Sequence, residues 1–172
     1  TVTAIKQSTD LGLMPLAKTT LPQAQKERLG VASLHGVSEI APNFYIPQYG
    51  SRMTSSIYVR GLGARIDQPA VGLSIDNVPL LNKDSYDFNL ADIERIEVLR
   101  GPQSTLYGRN TMAGQINIYT LSPMKYQGSR VSARIGNGPE AALTLSHYAK
   151  FSPKLAMAFS GYFNYSNGFY RN

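Results

Sequence analysis

The sequence predicts an α+β domain built on a small mixed β-sheet, followed by the start of an antiparallel transmembrane β-barrel. Three observations point there. Four short β-branched runs, separated by Gly, Pro and Asx signals, occupy residues 57–121, with one helical pattern ahead of them. From residue 128 the pattern changes to longer strands of apolar and polar alternation. Charge and aromatic content shift at the same place. Residues 1–127 carry 12 basic and 10 acidic side chains, whereas residues 128–172 carry five basic side chains, one acidic, and eight of the 17 Tyr and Phe. The division is therefore placed between residues 127 and 128.

The elements follow in order. Residues 1–7 read TVTAIKQ, without the charged start and apolar core of a secretory signal, so a mature or trimmed N-terminus is expected. Leu34, Val37 and Ile40, with Ala41 beside them, recur at helical spacing; Ser33 is a candidate cap and Pro42 a stop. Residues 43–58 run NFYIPQYGSRMTSSIY, an irregular loop in which Tyr45, Tyr49, Arg52 and Met53 are large, exposed candidates. Aromatic and arginine side chains on a loop suit a ligand surface, and equally a loop whose tyrosines cover the core. Residues 57–60 form a strand that stops at Gly61, and residues 71–76 a strand that turns at Asp76-Asn77. An irregular loop is expected over residues 79–89, and one helical turn over residues 90–92. Residues 93–100 alternate, with Ile96 and Val98 on one face and Glu97 and Leu99 on the other; residues 115–121 form the last strand of the sheet.

Beyond residue 128, Val131, Ala133 and Ile135 alternate with Ser132, Arg134 and Gly136. Residues 141–151 and 155–165 continue the pattern on either side of a Ser152-Pro153-Lys154 turn. Strands of ~10 residues, apolar on one side and polar on the other, are the membrane-barrel pattern; a soluble meander with one wet face is the alternative.

Composition excludes several functions. The 172 residues hold no Cys and no Trp, so there is no disulfide scaffold, Cys-ligated zinc or cysteine nucleophile. The net charge of +6 and pI near 9.6 invite a nucleic-acid reading, but the tail's charges fall singly at strand ends or on polar faces rather than in a basic patch, so no nucleic-acid partner is expected. His35 and His147 are far apart, and no metal site is expected. Gly61-Leu62-Gly63 lacks the third glycine of a dinucleotide loop, there is no Walker lysine, and Asp76, Asp84, Asp87 and Asp92 are scattered. Neither an enzyme nor a resident cofactor is expected.

Five blocks, in order, carry a resemblance. Residues 57–61 (IYVRG), 75–79 (IDNVP), 93–102 (IERIEVLRGP), 104–108 (STLYG) and 113–118 (AGQINI) resemble the plug domain of TonB-dependent outer-membrane receptors over about residues 1–125. The run IEVLRGPQSTLYG is by far the most specific. The resemblance implies that residues 1–127 are an α+β plug that gates the lumen of an outer-membrane barrel in a Gram-negative bacterium, and that residues 128–172 are the barrel's first strands. A plugged transporter barrel takes roughly 22 strands, and lipid tolerates no open edge, so the chain is expected to be the N-terminal part of a longer protein. Import of a scarce small-molecule ligand is implied, of ferric siderophore, haem or cobalamin type, a metal chelate included. The Arg100-Gly101-Pro102 sequence favours that branch over importers of oligosaccharide or peptide. A ligand-sensing signalling receptor is a further alternative, which would need another domain before Thr1.

Residue roles follow from the same resemblance. Arg60 and Arg100 match plug arginines that pair with barrel glutamates. Thr1, Val2, Thr3 and Ala4 match the end of the short box pulled by a TonB-type energy-transducing protein in the periplasm; such a box pairs as an added strand. Apical loops at residues 47–54, 62–68 and 80–86 would face the ligand, with Tyr45, Tyr49, Arg52, Arg65, Asp84 and Tyr86 as contacts. Arginines suit an anionic chelate and tyrosines stack on flat groups. Outer-membrane lipid is the expected environment of residues 128–172.

Overall fold

The computed structural model describes residues 17–31, 33–47, 56–63, 69–82, 86, 90, 92–136 and 140–166. Its contacts divide the chain into two compact units, Thr1–Thr120 and Leu121–Asn172.

In the first unit, β1 (Ala17–Pro22) leads directly into α1 (Gln23–Arg28), and α2 (Leu34–Ser38) follows. The fragment β2 (Phe44–Tyr45) pairs with β3 (Tyr58–Val59). Then come β4 (Val71–Ile75), β5 (Val78–Leu80), β6 (Ile93–Arg100), the short α3 (Ser104–Tyr107) and β7 (Gly114–Thr120). The main sheet has the order β1-β6-β7-β4-β5. It is mixed: β4 and β7 run parallel, and the other neighbours are antiparallel. Ile96, Val98, Ile116, Ile118, Val71 and Leu73 join Leu34, Val37 and Phe44 in one core.

Several expectations are met and several corrected. β4 turns through Asp76 and Asn77, both left-handed at φ +48° and +68°, the turn a two-residue hairpin requires. The Asp76 carboxylate then accepts hydrogen bonds from the Thr120 amide (2.9 Å) and hydroxyl (2.6 Å), tying the turn to the end of β7. β6 spans the whole run 93–100 and stops at Gly101, whose φ of +121° is open to glycine. The helix of residues 34–41 is only Leu34–Ser38, and Ser33 makes no side-chain cap bond.

Neither β1 nor α1 is visible in the sequence pattern. β1 carries a lysine on an inward side, and QAQKER is polar all round, held by Pro22 at its start and by Lys26 and Arg28 in its last turn. Residues 78–80 form β5, a strand where a loop is expected, because the Asp76-Asn77 turn forces the chain back along β4. The helical turn expected over residues 90–92 does not form at Asp92, whose φ of +55° is left-handed. Leu99 and Glu97 are fully buried, as are Ile96 and Val98, so both faces of β6 are covered.

The second unit is an antiparallel meander, β8 (Gly128–Gly136), β9 (Glu140–Ser152) and β10 (Leu155–Ser166), in the order β10-β9-β8. Val131 lies opposite Leu145, Ala133 opposite Leu143, and Phe163 opposite Leu143. One face therefore collects Val131, Ile135, Leu143, Phe159 and Phe163, all exposed; Ile135 is 88% accessible and Phe159 73%. On the opposite face Tyr148 is buried and packs edge-on against Tyr126, with ring centroids 5.2 Å apart. The strands are 9, 13 and 12 residues long, and no helix among the described residues is long and apolar enough to cross a membrane. Lengths of this order suit tilted spanning strands.

Candidate functional site

Arg60 and Arg100 both reach the backbone of residues 42–43, the first through its amide and the second through its guanidinium. Val59 and Leu62 exchange two backbone hydrogen bonds of 2.9 Å, leaving Arg60 and Gly61 as the centre of a tight turn. Both are left-handed, at φ +53° and +78°, and for an arginine that conformation costs roughly 1–2 kcal/mol. The Arg60 amide donates to the Asn43 carbonyl at 2.8 Å, which fixes the turn against β2. Arg100, at the end of β6, donates from Nη1 to the Pro42 carbonyl at 3.0 Å. Its Nε is buried without a hydrogen-bond partner. A Cβ built on Gly101 would stand 3.6 Å from Arg60 Nη1, so the Arg60 guanidinium reaches the turn that follows Arg100. Among the described residues neither arginine forms an ion pair with a carboxylate. Arg100 Nε is thus an unmet buried donor close to the turn that carries a second arginine.

An open cavity of about 370 Å³ adjoins this site, lined by Asn43, Phe44, Tyr45, Pro47, Tyr58, Arg60 and Gly61. Tyr45 is 62% exposed at its rim. Tyr45, expected on a ligand loop, and Arg60, expected in a separate lock, line one cavity in the fold. Phe44, Pro47 and Tyr58 complete the wall; all three lie in the aromatic and proline stretch of residues 43–58, but which of them meet depends on the β2–β3 pairing.

Tyr86 requires a correction. Expected on an apical ligand loop, it is only 5% exposed, and its hydroxyl donates to the Val71 and Leu80 carbonyls at 3.2 and 3.3 Å. Burial pushes its hydroxyl up to about 12. Its ring belongs to the core and offers no face to a ligand, because the β4–β5 hairpin closes over it. Tyr49, Arg52, Arg65, Asp84 and Thr1, Val2, Thr3 and Ala4 lie outside the described residues.

A second feature is a buried polar network on the sheet face opposite the core. Ser74 donates to Asn117 Oδ1 (2.7 Å), Gln115 Nε2 donates to Ser74 Oγ and Asn117 Oδ1 (both 3.0 Å), and Asn117 Nδ2 donates to the Tyr107 hydroxyl (3.0 Å). Burial raises the Tyr107 hydroxyl above its usual value. Gly72 makes room for this layer, and Gly114 lets β7 approach β6 on the core side. A Cβ at residue 72 would lie 2.1 Å from Gln115 Oε1, and one at residue 114 would lie 2.5 Å from the Leu99 carbonyl. Gly108 has open space around it; its φ of +77° is what calls for glycine. A cavity of about 240 Å³ beside the network is lined by Leu73, Leu80, Tyr107, Arg109 and Gln115, among others. No cluster among the described residues has the composition to hold a metal ion.

Comparison with known proteins gives this geometry its context. Residues 12–115 match the family model described as the TonB-dependent receptor plug domain. The pesticin receptor of Yersinia pestis is 34% identical over 125 residues, which is 71% of this chain and 18% of that protein. The vitamin B12 transporter BtuB of Vibrio vulnificus is 28% identical over 179 residues, covering 98% of this chain and 28% of that protein. Among solved structures, the ferric yersiniabactin uptake receptor FyuA from Yersinia pestis superposes with a TM-score of 0.67 at 26% identity, over 79% of this chain and 22% of that one. The closed form of the ferric-catecholate import receptor Fiu from E. coli K12 gives 0.71 at 23% identity, over 92% and 23%, and bears on the fold alone. The chain thus spans less than a third of the length of each of these proteins. A family match over most of the sheet domain, with the mixed sheet and the meander after it, shows that the chain belongs to the TonB-dependent receptors and carries their plug domain.

Proposed function

We propose that this chain is the gating plug, with the first barrel strands, of an outer-membrane receptor that imports a scarce ligand of ferric siderophore, haem or cobalamin type. The observation that carries the proposal is the pairing of Arg60 with Arg100 beside the residue 42–43 carbonyls, without a carboxylate among the described residues. Barrel glutamates facing the two guanidinium groups would form a charge-assisted lock. Proteins named for ferric yersiniabactin uptake and vitamin B12 transport are similar to it, which supports a chelate or vitamin as the cargo.

The exposed apolar face of β8–β10 fits the lipid side of a barrel, with Arg130, Ser132 and Arg134 on the other side toward the lumen. In this reading the cell outer membrane houses the barrel. A TonB-type periplasmic protein takes hold of a box ending at Thr1, Val2, Thr3 and Ala4, and Tyr45, Tyr49, Arg52, Arg65 and Asp84 are contacts for the ligand. Pulling on the box rearranges the plug and opens a path.

The test is uptake of a labelled ferric chelate by cells producing the receptor under iron limitation. Replacing Tyr49 and Arg52 together with Ala is expected to lower surface binding and uptake while the receptor still assembles in the outer membrane. Unchanged binding would remove these loop contacts, and recovery of the receptor in the cytosol would overturn the transport reading altogether.

A further inference from the structure

The basic residues of the second unit are scattered in sequence, but strand register sets three of them in line. On the face opposite Val131, Leu145 and Phe159, Arg134 lies across from Ala142 and Arg130 across from Ser146. Lys150 follows four residues after Ser146 on β9, across from Ala156. At about 3.3 Å per residue, each of these steps is roughly 13 Å. The three cations therefore form a ladder of even rungs, running from the Gly136 end of β8 toward the turn after Ser152.

Hydroxyl groups occupy the spaces between. Ser132, Thr144 and Tyr162 form one row between the two arginine rungs, and Ser146 and Ser160 lie across from each other beside Arg130. Arg134, Lys150, Ser132 and Tyr162 are exposed. Arg130 is half-buried, its guanidinium 5.6 Å from the centre of the Tyr126 ring, which in turn meets Tyr148 edge-on. That stack holds the middle rung in place. Acidic side chains do not balance the ladder. Of residues 128–172 only Glu140 is acidic, and it lies across from Gly136, beyond the Arg134 rung.

Hydroxyls alone would keep this face wet; cations of one sign add attraction for anions only. At 0.15 M salt the Debye length is about 8 Å, shorter than one step, so the rungs act as separate stations. Guanidinium and ammonium donors with hydroxyls beside them suit oxyanions, which accept hydrogen bonds from both.

We propose that the polar face of β8–β10 is an anion-binding track, on which a small solute bearing carboxylate-type oxyanions is held in turn by Arg134, Arg130 and Lys150. The proposal rests on the reading of this unit as barrel wall with its polar side toward the lumen. It adds the charge class of what that wall binds and the residues that bind it.

The test is collisional quenching of a fluorophore on the intact receptor in detergent. The dye is attached through Ser132→Cys, between the arginine rungs, or separately through Ala133→Cys, on the apolar face; residues 1–172 hold no native cysteine. Neutral acrylamide reports access to water, and is expected to quench at residue 132 and not at residue 133. Equal quenching at both, or none at residue 132, would sink the barrel-wall reading and the track with it. At matched ionic strength, iodide is expected to quench the residue-132 dye at least about 3-fold better than caesium, each normalised to the dye in solution. Arg130→Gln combined with Arg134→Gln is expected to remove that preference. Citrate, the probe oxyanion, is expected to halve the iodide quenching with both arginines present and to leave it unchanged in the double variant. Equal quenching by iodide and caesium would overturn the proposal while leaving the barrel wall standing. So would a preference for iodide that survives the double substitution, or one that citrate does not reduce. Should the double variant fail to assemble, Arg134→Gln alone, at an exposed position, is expected to halve the preference, and an unchanged preference overturns the proposal equally.

Discussion

Arg60 combines two demands in one position, a left-handed turn and a cation. The turn favours glycine, and a glycine there would relieve strain of about 1 kcal/mol while deleting the charge that adjoins Arg100. Arg60→Gly is accordingly expected to leave thermal stability of the plug unchanged or slightly raised while weakening the closed state. A conductance or antibiotic-leak assay on the full receptor checks the second effect, and a calorimetric scan the first. Tyr86 supplies a pH signature. Its folded value of about 12 lies above the ordinary 10.0, so between those limits the unfolded chain releases a proton that the folded one retains. By linkage, stability must fall as pH rises from 10 toward 12. Tyr86→Phe is expected to cost about 1 kcal/mol at neutral pH through its lost hydroxyl bonds and to abolish that alkaline fall, read from denaturant midpoints across the pH series.

At the scale of elements, β6, β7 and β4 form the centre of the main sheet, with β1 and β5 at its edges. β7 lies against β6 where Gly114 faces the Leu99 carbonyl, with no room for a methyl group. Gly114→Ala is expected to cost about 1–3 kcal/mol by forcing those strands apart, visible as faster hydrogen exchange in residues 93–100 and 114–120 together. The meander β8–β10 obeys a different rule, because its two faces meet different solvents in the proposed barrel. Phe159 belongs to the exposed apolar face, whereas Ser160, its neighbour in the chain, points to the other. Phe159→Arg is expected to cost about 2–4 kcal/mol near the bilayer midplane and to reduce the assembled, heat-modifiable receptor on gels. Ser160→Arg is expected to be tolerated much better. Equal effects of the two substitutions would show that this face does not meet lipid.

For the whole molecule, the net charge of +6 now has a distribution that makes sense. Residues 128–172 carry five basic side chains against one acidic, spaced singly along the sequence, and Arg60 and Arg100 form no ion pair among the described residues. Deleting residues 1–6 is expected to abolish energised uptake while leaving ligand binding at the cell surface intact, measured by comparing bound and internalised label. Loss of binding as well would mean that the segment supports the fold rather than the coupling.

The sequence by itself determined the family, the β6 strand to the residue, the Asp76-Asn77 turn and the alternation of β8–β10. Each of these is written in local periodicity, or in residues such as Asn and Gly that few other conformations favour. It also picked out Arg60 and Arg100 one at a time. What only the tertiary structure decided was which residues meet. Tyr86 reads as an exposed loop aromatic until the β4–β5 hairpin closes over it, and β1 reads as a polar segment until Lys18 finds Glu97, 79 positions along the chain. The Tyr45–Arg60 cavity likewise exists only through the β2–β3 pairing. Burial and ion pairing across such separations depend on strand register, and register is set by the sum of contacts over the sheet rather than by any short stretch of sequence.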